Sequence, residues 1–224
     1  MSIAEDLASV RDCIDRAPRA ASREPAEVRL IAVSKTKPAS AIREAYAAGQ
    51  RDFGENYAQE LLQKAEELAD LVDLRWHFIG HLQSNKARFV AKVAHVVHAV
   101  DGPSLARELG KRVAKEGRPR LPVLVEVNVG GEAQKHGSSA VDLQDVLAAV
   151  DAEEALQLRG LMTIPPNDRE GARRAFEALG SLRALHGGPA RLPELSMGMS
   201  DDLEVAVACG STMVRVGTAI FGSR

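Results

Sequence analysis

The stretch Val28-Arg-Leu-Ile-Ala-Val-Ser-Lys35 reads as a buried strand that ends in a lysine. It is rich in β-branched and aliphatic residues, the composition of a strand. Pro38 suits the first position of a helix, and an amphipathic run continues to Gly49. The same strand–helix unit then repeats along the chain. Strands are expected over residues 52–54, 74–79, 95–100, 121–129, 156–162, 194–196 and 212–216. The helical patterns between them run to about residue 70 and over 85–90, 103–115, 141–150, 170–185 and 203–208. A further helix over 3–16 precedes the first unit. Eight strands, each but the last followed by a helical pattern, fit a single (β/α)8 TIM-type barrel with an extra N-terminal helix. A doubly wound open sheet shares the alternation and is the competing fold.

Length and composition agree with one barrel domain over residues 1–224. At about 150 residues per domain, 224 residues leave little room for a second one. Hydrophobic residues make up 45% and charged residues 27%, enough to build a core and exclude global disorder. Twenty-nine basic residues face 31 acidic ones, so no basic excess exists to neutralise nucleic-acid phosphates. Cys13 and Cys209 form neither a metal-ligand pattern nor a disulfide framework, which suits a reducing compartment. The longest apolar run falls far short of a membrane span, and the first residues are polar and acidic, unlike a secretory signal. A cytoplasmic protein with no membrane or nucleic-acid partner is the expectation, and a monomer, because no exposed apolar helix stands out.

In such barrels the chemistry gathers where strands end and βα loops begin. Lys35 ends the first strand, where lost hydration lowers a lysine's pKa and favours the neutral amine that a Schiff base needs. Lys37 shares its face by alternation but adjoins Pro38 and is expected nearer solvent. Both lysines also read as ordinary rim charges. The loops after strands 7 and 8 often bind phosphate. Here they carry Ser196-Met-Gly-Met-Ser200 and Gly217-Thr218, with glycines that let N–H groups approach an anion and with two hydroxyl donors. Ordinary loop glycines fit the pattern as well. Arg215 lies between Val214 and Val216 and faces away from both, so a buried guanidinium there needs a partner. A ligand acceptor is one candidate and a carboxylate such as Glu126 the other. Asp201 reads as a helix cap with Glu204 three residues on. His77, His81, His95 and His98 sit at two neighbouring strand ends without a third convergent ligand, so packed or rim histidines are expected and no metal. Gly102 to Gly110-Lys111 has the wrong spacing for a phosphate loop and falls inside a helix. The polar run over 130–137 reads as either a lid or a solvated loop.

Six segments together resemble one family. They are Ala32-Val-Ser-Lys-Thr-Lys-Pro38, Phe53-Gly-Glu-Asn56, His77-Phe-Ile-Gly-His-Leu-Gln-Ser-Asn-Lys86, Leu161-Met-Thr163, Leu195-Ser-Met-Gly-Met-Ser200 and Val214-Arg-Val-Gly-Thr218. In this order they closely resemble the pyridoxal 5'-phosphate (PLP) homeostasis protein family, the PROSC or YggS-like proteins, related to the barrel domain of alanine racemase. The resemblance implies that Lys35 holds PLP covalently as an aldimine. It places the phosphate on Ser200, Gly217 and Thr218, sets Arg215 against the pyridine nitrogen, and puts Asn56, Met199 and His81 along the pocket. It implies reversible binding of the cofactor and its delivery to PLP-dependent apoenzymes, without turnover. An amino-acid racemase is the alternative. Fold-type III racemases take a second proton carrier, a tyrosine, from an added β domain. Here Tyr46 and Tyr57 fall in the helices after the first and second strands. A lysine-dependent aldolase is the third reading, and its lysine needs neither a phosphate cup nor an arginine.

Overall fold

In the computed structural model, which describes residues 2–20, 27–132 and 135–222, the repeated unit closes on itself. The strands are β1 (Arg29–Val33), β2 (Asp52–Glu55), β3 (Arg75–Phe78), β4 (Val96–Val100), β5 (Leu121–Glu126), β6 (Leu156–Met162), β7 (Glu194–Ser196) and β8 (Met213–Val216). They pair in chain order, all parallel. β8 returns to β1 with Leu30 opposite Val214 and Ile31 opposite Arg215, which makes a closed barrel and excludes the open sheet.

The helices are α1 (Ile3–Ala20), α2 (Ala39–Ala47), α3 (Ala58–Glu67), α4 (Ala87–Val93), α5 (Pro103–Lys115), α6 (Leu143–Asp151), α7 (Arg169–Leu185), α8 (Gly188–Arg191), α9 (Leu203–Ala208) and α10 (Thr218–Phe221). In α1, Leu7, Val10, Ile14 and Ala17 are buried at helical spacing, and the helix packs against α2, α9 and α10 beside the barrel closure. It runs four residues past the expected end. The last strand, expected to lack a helix, is followed by the single turn α10, too short to show a sequence period. Tyr57 is also displaced: it is the exposed N-cap of α3, on the loop after β2, rather than inside that helix.

Alternation along the strands divides the protein into two layers. Trp76, Phe78, Val97, Val123, Val125, Leu195 and Val214 pack outward against the helices. The opposite face lines the barrel interior, which TIM barrels commonly fill with branched aliphatic side chains. Here a cluster of Val96, Ala99, Leu124 and Met162 shares that space with fully buried histidines. His98 on β4 hydrogen-bonds Ser196 on β7, strands that are not neighbours, so the bond crosses the interior. His77 and His98 are thus packed inside rather than placed at the rim. β1 and β5 end earlier than their apolar runs suggest. Ser34 is fully buried after the ladder has ended, and Val127 keeps only a single bridge, to Ser138.

Candidate functional site

Ser34-Lys35-Thr36-Lys37 form a tight turn, closed by the Lys37 N–H donating to the Ser34 carbonyl at 3.0 Å. Thr36 takes φ 63° there, the left-handed region that β-branched residues avoid. Its N–H donates to Glu60 Oε1 at 2.6 Å, which ties the turn to α3. A buried ion pair holds the other side. Lys64 Nζ donates to the Ser34 carbonyl at 2.8 Å, to Glu55 Oε1 at 2.8 Å and to Glu60 Oε1 at 2.7 Å. The Ser34 hydroxyl donates to the same Glu55 oxygen at 2.7 Å. Burial pushes the Glu55 carboxyl up, and Lys64 and Ser34 oppose that rise. Backbone strain and a desolvated ion pair together position the turn that presents Lys35, and neither has a sequence signature.

Lys35 lines a cavity of about 540 Å³ at the C-terminal ends of the strands. Asn56, Met199, Ser200, Arg215, Gly217 and Thr218 line it too, so seven of the eight residues singled out from the sequence meet in one place. Val33, Ile79, Ile164, Asp201 and Ala219 complete the wall. Sequence reading took Asp201 for a helix cap and passed over the four apolar residues, because an aliphatic wall residue looks like any other core position. Asn56 Oδ1 is buried and has no hydrogen-bond partner among the described residues, a state that buried polar atoms rarely keep without a ligand or water. Thr218 starts α10, whose first amides have no acceptor within the helix. Gly198, at φ 98°, brings strand β7's loop so close to α9 that an added Cβ would lie 2.5 Å from that of Ala206. Asp201 is not the cap of α9. Asp202 precedes that helix and turns its Oδ1 back to accept the Met199 N–H at 2.6 Å. The carboxylate thereby shapes the loop that carries Ser200.

Arg215 is 5% exposed. It donates to Ser196 Oγ at 2.6 Å and to the Thr163 carbonyl at 3.0 Å. Burial lowers its pKa to about 10, with Glu126 and Asp202 opposing, so it stays cationic at neutral pH. The carboxylate partner considered for it, Glu126, acts through charge at longer range.

His81 stands apart from the other seven. It lines a neighbouring cavity of about 280 Å³, with Glu126, Asn128, Lys135 and His136, that shares Asn56, Ile79 and Ile164 with the first. Its ring stacks on His136 at 3.7 Å and 9°, and its Nδ1 lies 3.4 Å from Asp101 Oδ2. These three are the one group with metal-ligand spacing among the described residues. Lone pairs of stacked imidazoles lie in two parallel planes and do not converge on one ion, so the arrangement fits ring stacking beside an acid. Residues 133–134 of the loop expected over 130–137 lie outside the described part. No helix among the described residues is long and apolar enough to cross a membrane.

Residues 6–224 match the family described as alanine racemase, N-terminal domain. The chain is 52% identical over 226 residues to the pyridoxal phosphate homeostasis protein of Pseudomonas aeruginosa, covering all of this chain and 96% of that protein. Its identity to the Escherichia coli protein of the same name is 48% over 227 residues, covering 99% and 97%. The structure of PipY from Synechococcus elongatus with PLP bound superposes with a TM-score of 0.82 at 42% identity, covering 99% of this chain and all of that one. Alanine racemase from Corynebacterium glutamicum shares the fold, with a TM-score of 0.66 at 20% identity, and 99% of this chain covers 61% of that enzyme.

Proposed function

We propose, since this chain belongs to the pyridoxal phosphate homeostasis protein family, that it binds PLP reversibly at the barrel mouth and helps control the cofactor's free level. The observation that carries this reading is the single cavity that gathers Lys35, Arg215, two hydroxyls and the unpartnered Asn56 Oδ1. When bound, PLP supplies an aldehyde carbon and an electron-withdrawing ring. Lys35 is the covalent attachment point. Ser200, Gly217 and Thr218 take the phosphate, and the exposed hydroxyls keep that end open to solvent. Asn56 and Met199 line the ring, and His81 faces the adjoining space.

Arg215 meets the ring nitrogen. A guanidinium only donates, so the nitrogen it faces stays an unprotonated acceptor. Such a ring stabilises a carbanion less than a pyridinium does, which supports a binding protein without racemase, transaminase or decarboxylase turnover. Tyr57 does stand on a βα loop, but it does not line the cavity. Delivery to PLP-dependent apoenzymes, a cytoplasmic setting and a monomeric state complete the reading. For the last, the exposed large hydrophobics Tyr57, Val72, Val141, Ile164 and Leu185 are scattered along the chain.

The test is borohydride reduction of PLP-loaded protein followed by peptide mass mapping. The adduct is expected on Lys35, and Lys35→Ala should lose the visible band while keeping its circular dichroism. Pyridoxal lacking the phosphate should bind far more weakly. An adduct on Lys37, or equal binding of the two vitamers, refutes the assignment. Sustained Cα exchange of an amino acid in deuterated water, with D-product, would favour the racemase.

A further inference from the structure

Arg215 is the top of a hydrogen-bonded chain that runs through the barrel to the opposite end. Its guanidinium donates to Ser196 Oγ at 2.6 Å. Ser196 Oγ lies 2.9 Å from His98 Nδ1. His98 Nε2 lies 2.9 Å from His77 Nδ1, and His77 Nε2 lies 2.8 Å from Asp52 Oδ1. Ser196, His98 and His77 are fully buried. Asp52 is the first residue of β2, at the N-terminal end of the strands and remote from the cavity, and Arg75 Nε stands 3.6 Å from the same oxygen.

The chemistry of the two ends sets the direction of every link. An arginine has no acceptor, and an ionised carboxylate has no donor. Asp52 can only accept, so a neutral His77 donates to it from Nε2 and accepts at Nδ1. A neutral His98 then donates to that nitrogen from Nε2 and accepts at its own Nδ1. Ser196, whose oxygen also accepts from Arg215, gives its own proton to His98 Nδ1. Burial holds both rings neutral, since it lowers the pKa of each, well below the ordinary value for His98. Burial opposes ionisation of Asp52, but the hydrogen bond from His77, with Arg29 and Arg75 nearby, outweighs it and holds the carboxyl below its ordinary value. One tautomer of each histidine satisfies the whole row, and no reversed arrangement exists.

We propose that Asp52, His77, His98 and Ser196 are positioning residues for the cofactor site: the row fixes the Ser196 hydroxyl as an acceptor toward Arg215 and so orients the guanidinium from the far end of the barrel. The inference rests on the reading that PLP occupies the cavity with Arg215 at its ring nitrogen. A set of histidines that merely filled the interior would need no common direction and no terminal acid.

The test uses the full chain with 15N-labelled histidine. Long-range proton–nitrogen NMR of the cofactor-free protein should show the Nε2–H tautomer for both His77 and His98. Asp52→Leu should mix the tautomers at His98, two links away, and raise the PLP release rate on the order of tenfold, the scale set by one unsatisfied buried group. Asp52→Asn keeps an acceptor oxygen and should restore both readouts. Ser196→Ala cuts the row at the other end and should speed release while leaving the histidine tautomers in place. An Nδ1–H proton on either histidine of the wild type overturns the proposal. So does Asp52→Leu with His98 and release unchanged, or Ser196→Ala with unchanged release. Altered tautomers without altered release would separate the row from the cofactor site and leave the binding reading standing. If the wild type retained no PLP, that reading would fail, and the tautomer measurements would judge the directed row alone.

Discussion

Replacing Glu126 by Gln should remove a pH dependence of stability that the fold creates at one carboxyl. Glu126 ends β5, nearly enclosed. Burial moves its pKa from 4.5 up to about 7, Asp101 adds to the rise, and Arg215 opposes it. In that window the native chain keeps a proton that the unfolded chain has released. Stability therefore falls as pH rises from 4.5, and the loss is complete above about 7. At about 1.4 kcal/mol per pH unit, this carboxyl should cost the native state roughly 2–3 kcal/mol between about pH 5 and about pH 8. Gln has nearly the same shape and does not titrate. The stability of Glu126→Gln minus that of wild type should thus grow by about that amount across the range. Urea unfolding of both cofactor-free proteins, followed through the single tryptophan at several pH values, measures the difference directly. Subtraction cancels the other carboxyls. A flat difference, or one that shrinks as pH rises, would show that Glu126 is hydrated and refute the argument from burial.

Lys64→Met should destabilise the protein by about 3–5 kcal/mol, because it leaves Glu55 buried without its cation. Lys64→Met with Glu55→Leu should recover most of the loss in urea unfolding; a double variant as weak as the single one contradicts the pairing. Thr36→Gly should raise stability by about 1 kcal/mol, because relief of left-handed strain outweighs the added freedom of the unfolded chain. A lower unfolding midpoint would show that the φ of 63° carries no strain.

The binary pattern of the sequence decided the architecture. Runs such as Leu121-Pro-Val-Leu-Val and Leu156-Gln-Leu-Arg-Gly-Leu-Met are strands because their side chains are buried, and eight such units alternating with helices leave few topologies. Strand β6, strand β7 and helices α5 and α9 have the boundaries read from sequence, because Pro, Gly and polar residues flank them sharply. The rule that chemistry sits at strand C-termini also picked out Lys35, Ser200, Arg215, Gly217 and Thr218, which line one cavity.

What the tertiary structure alone decided is which polar groups hold those residues. Glu60 and Lys64 have the i,i+4 spacing of a helical ion pair. Nothing in the spacing joins that pair to Ser34 and Glu55, yet the four form one network behind Lys35. His77 and His98 read as members of two local pairs. Their true partners are each other, Asp52 and Ser196, the last 98 residues from His98. Arg215 found a hydroxyl and a carbonyl where a carboxylate was the simpler guess. Periodicity records only whether a side chain faces the core, and each buried strand residue passes that test alike. Hydrogen-bond partners depend on barrel closure and on strand stagger, which bring non-neighbouring strands within about 3 Å across the interior.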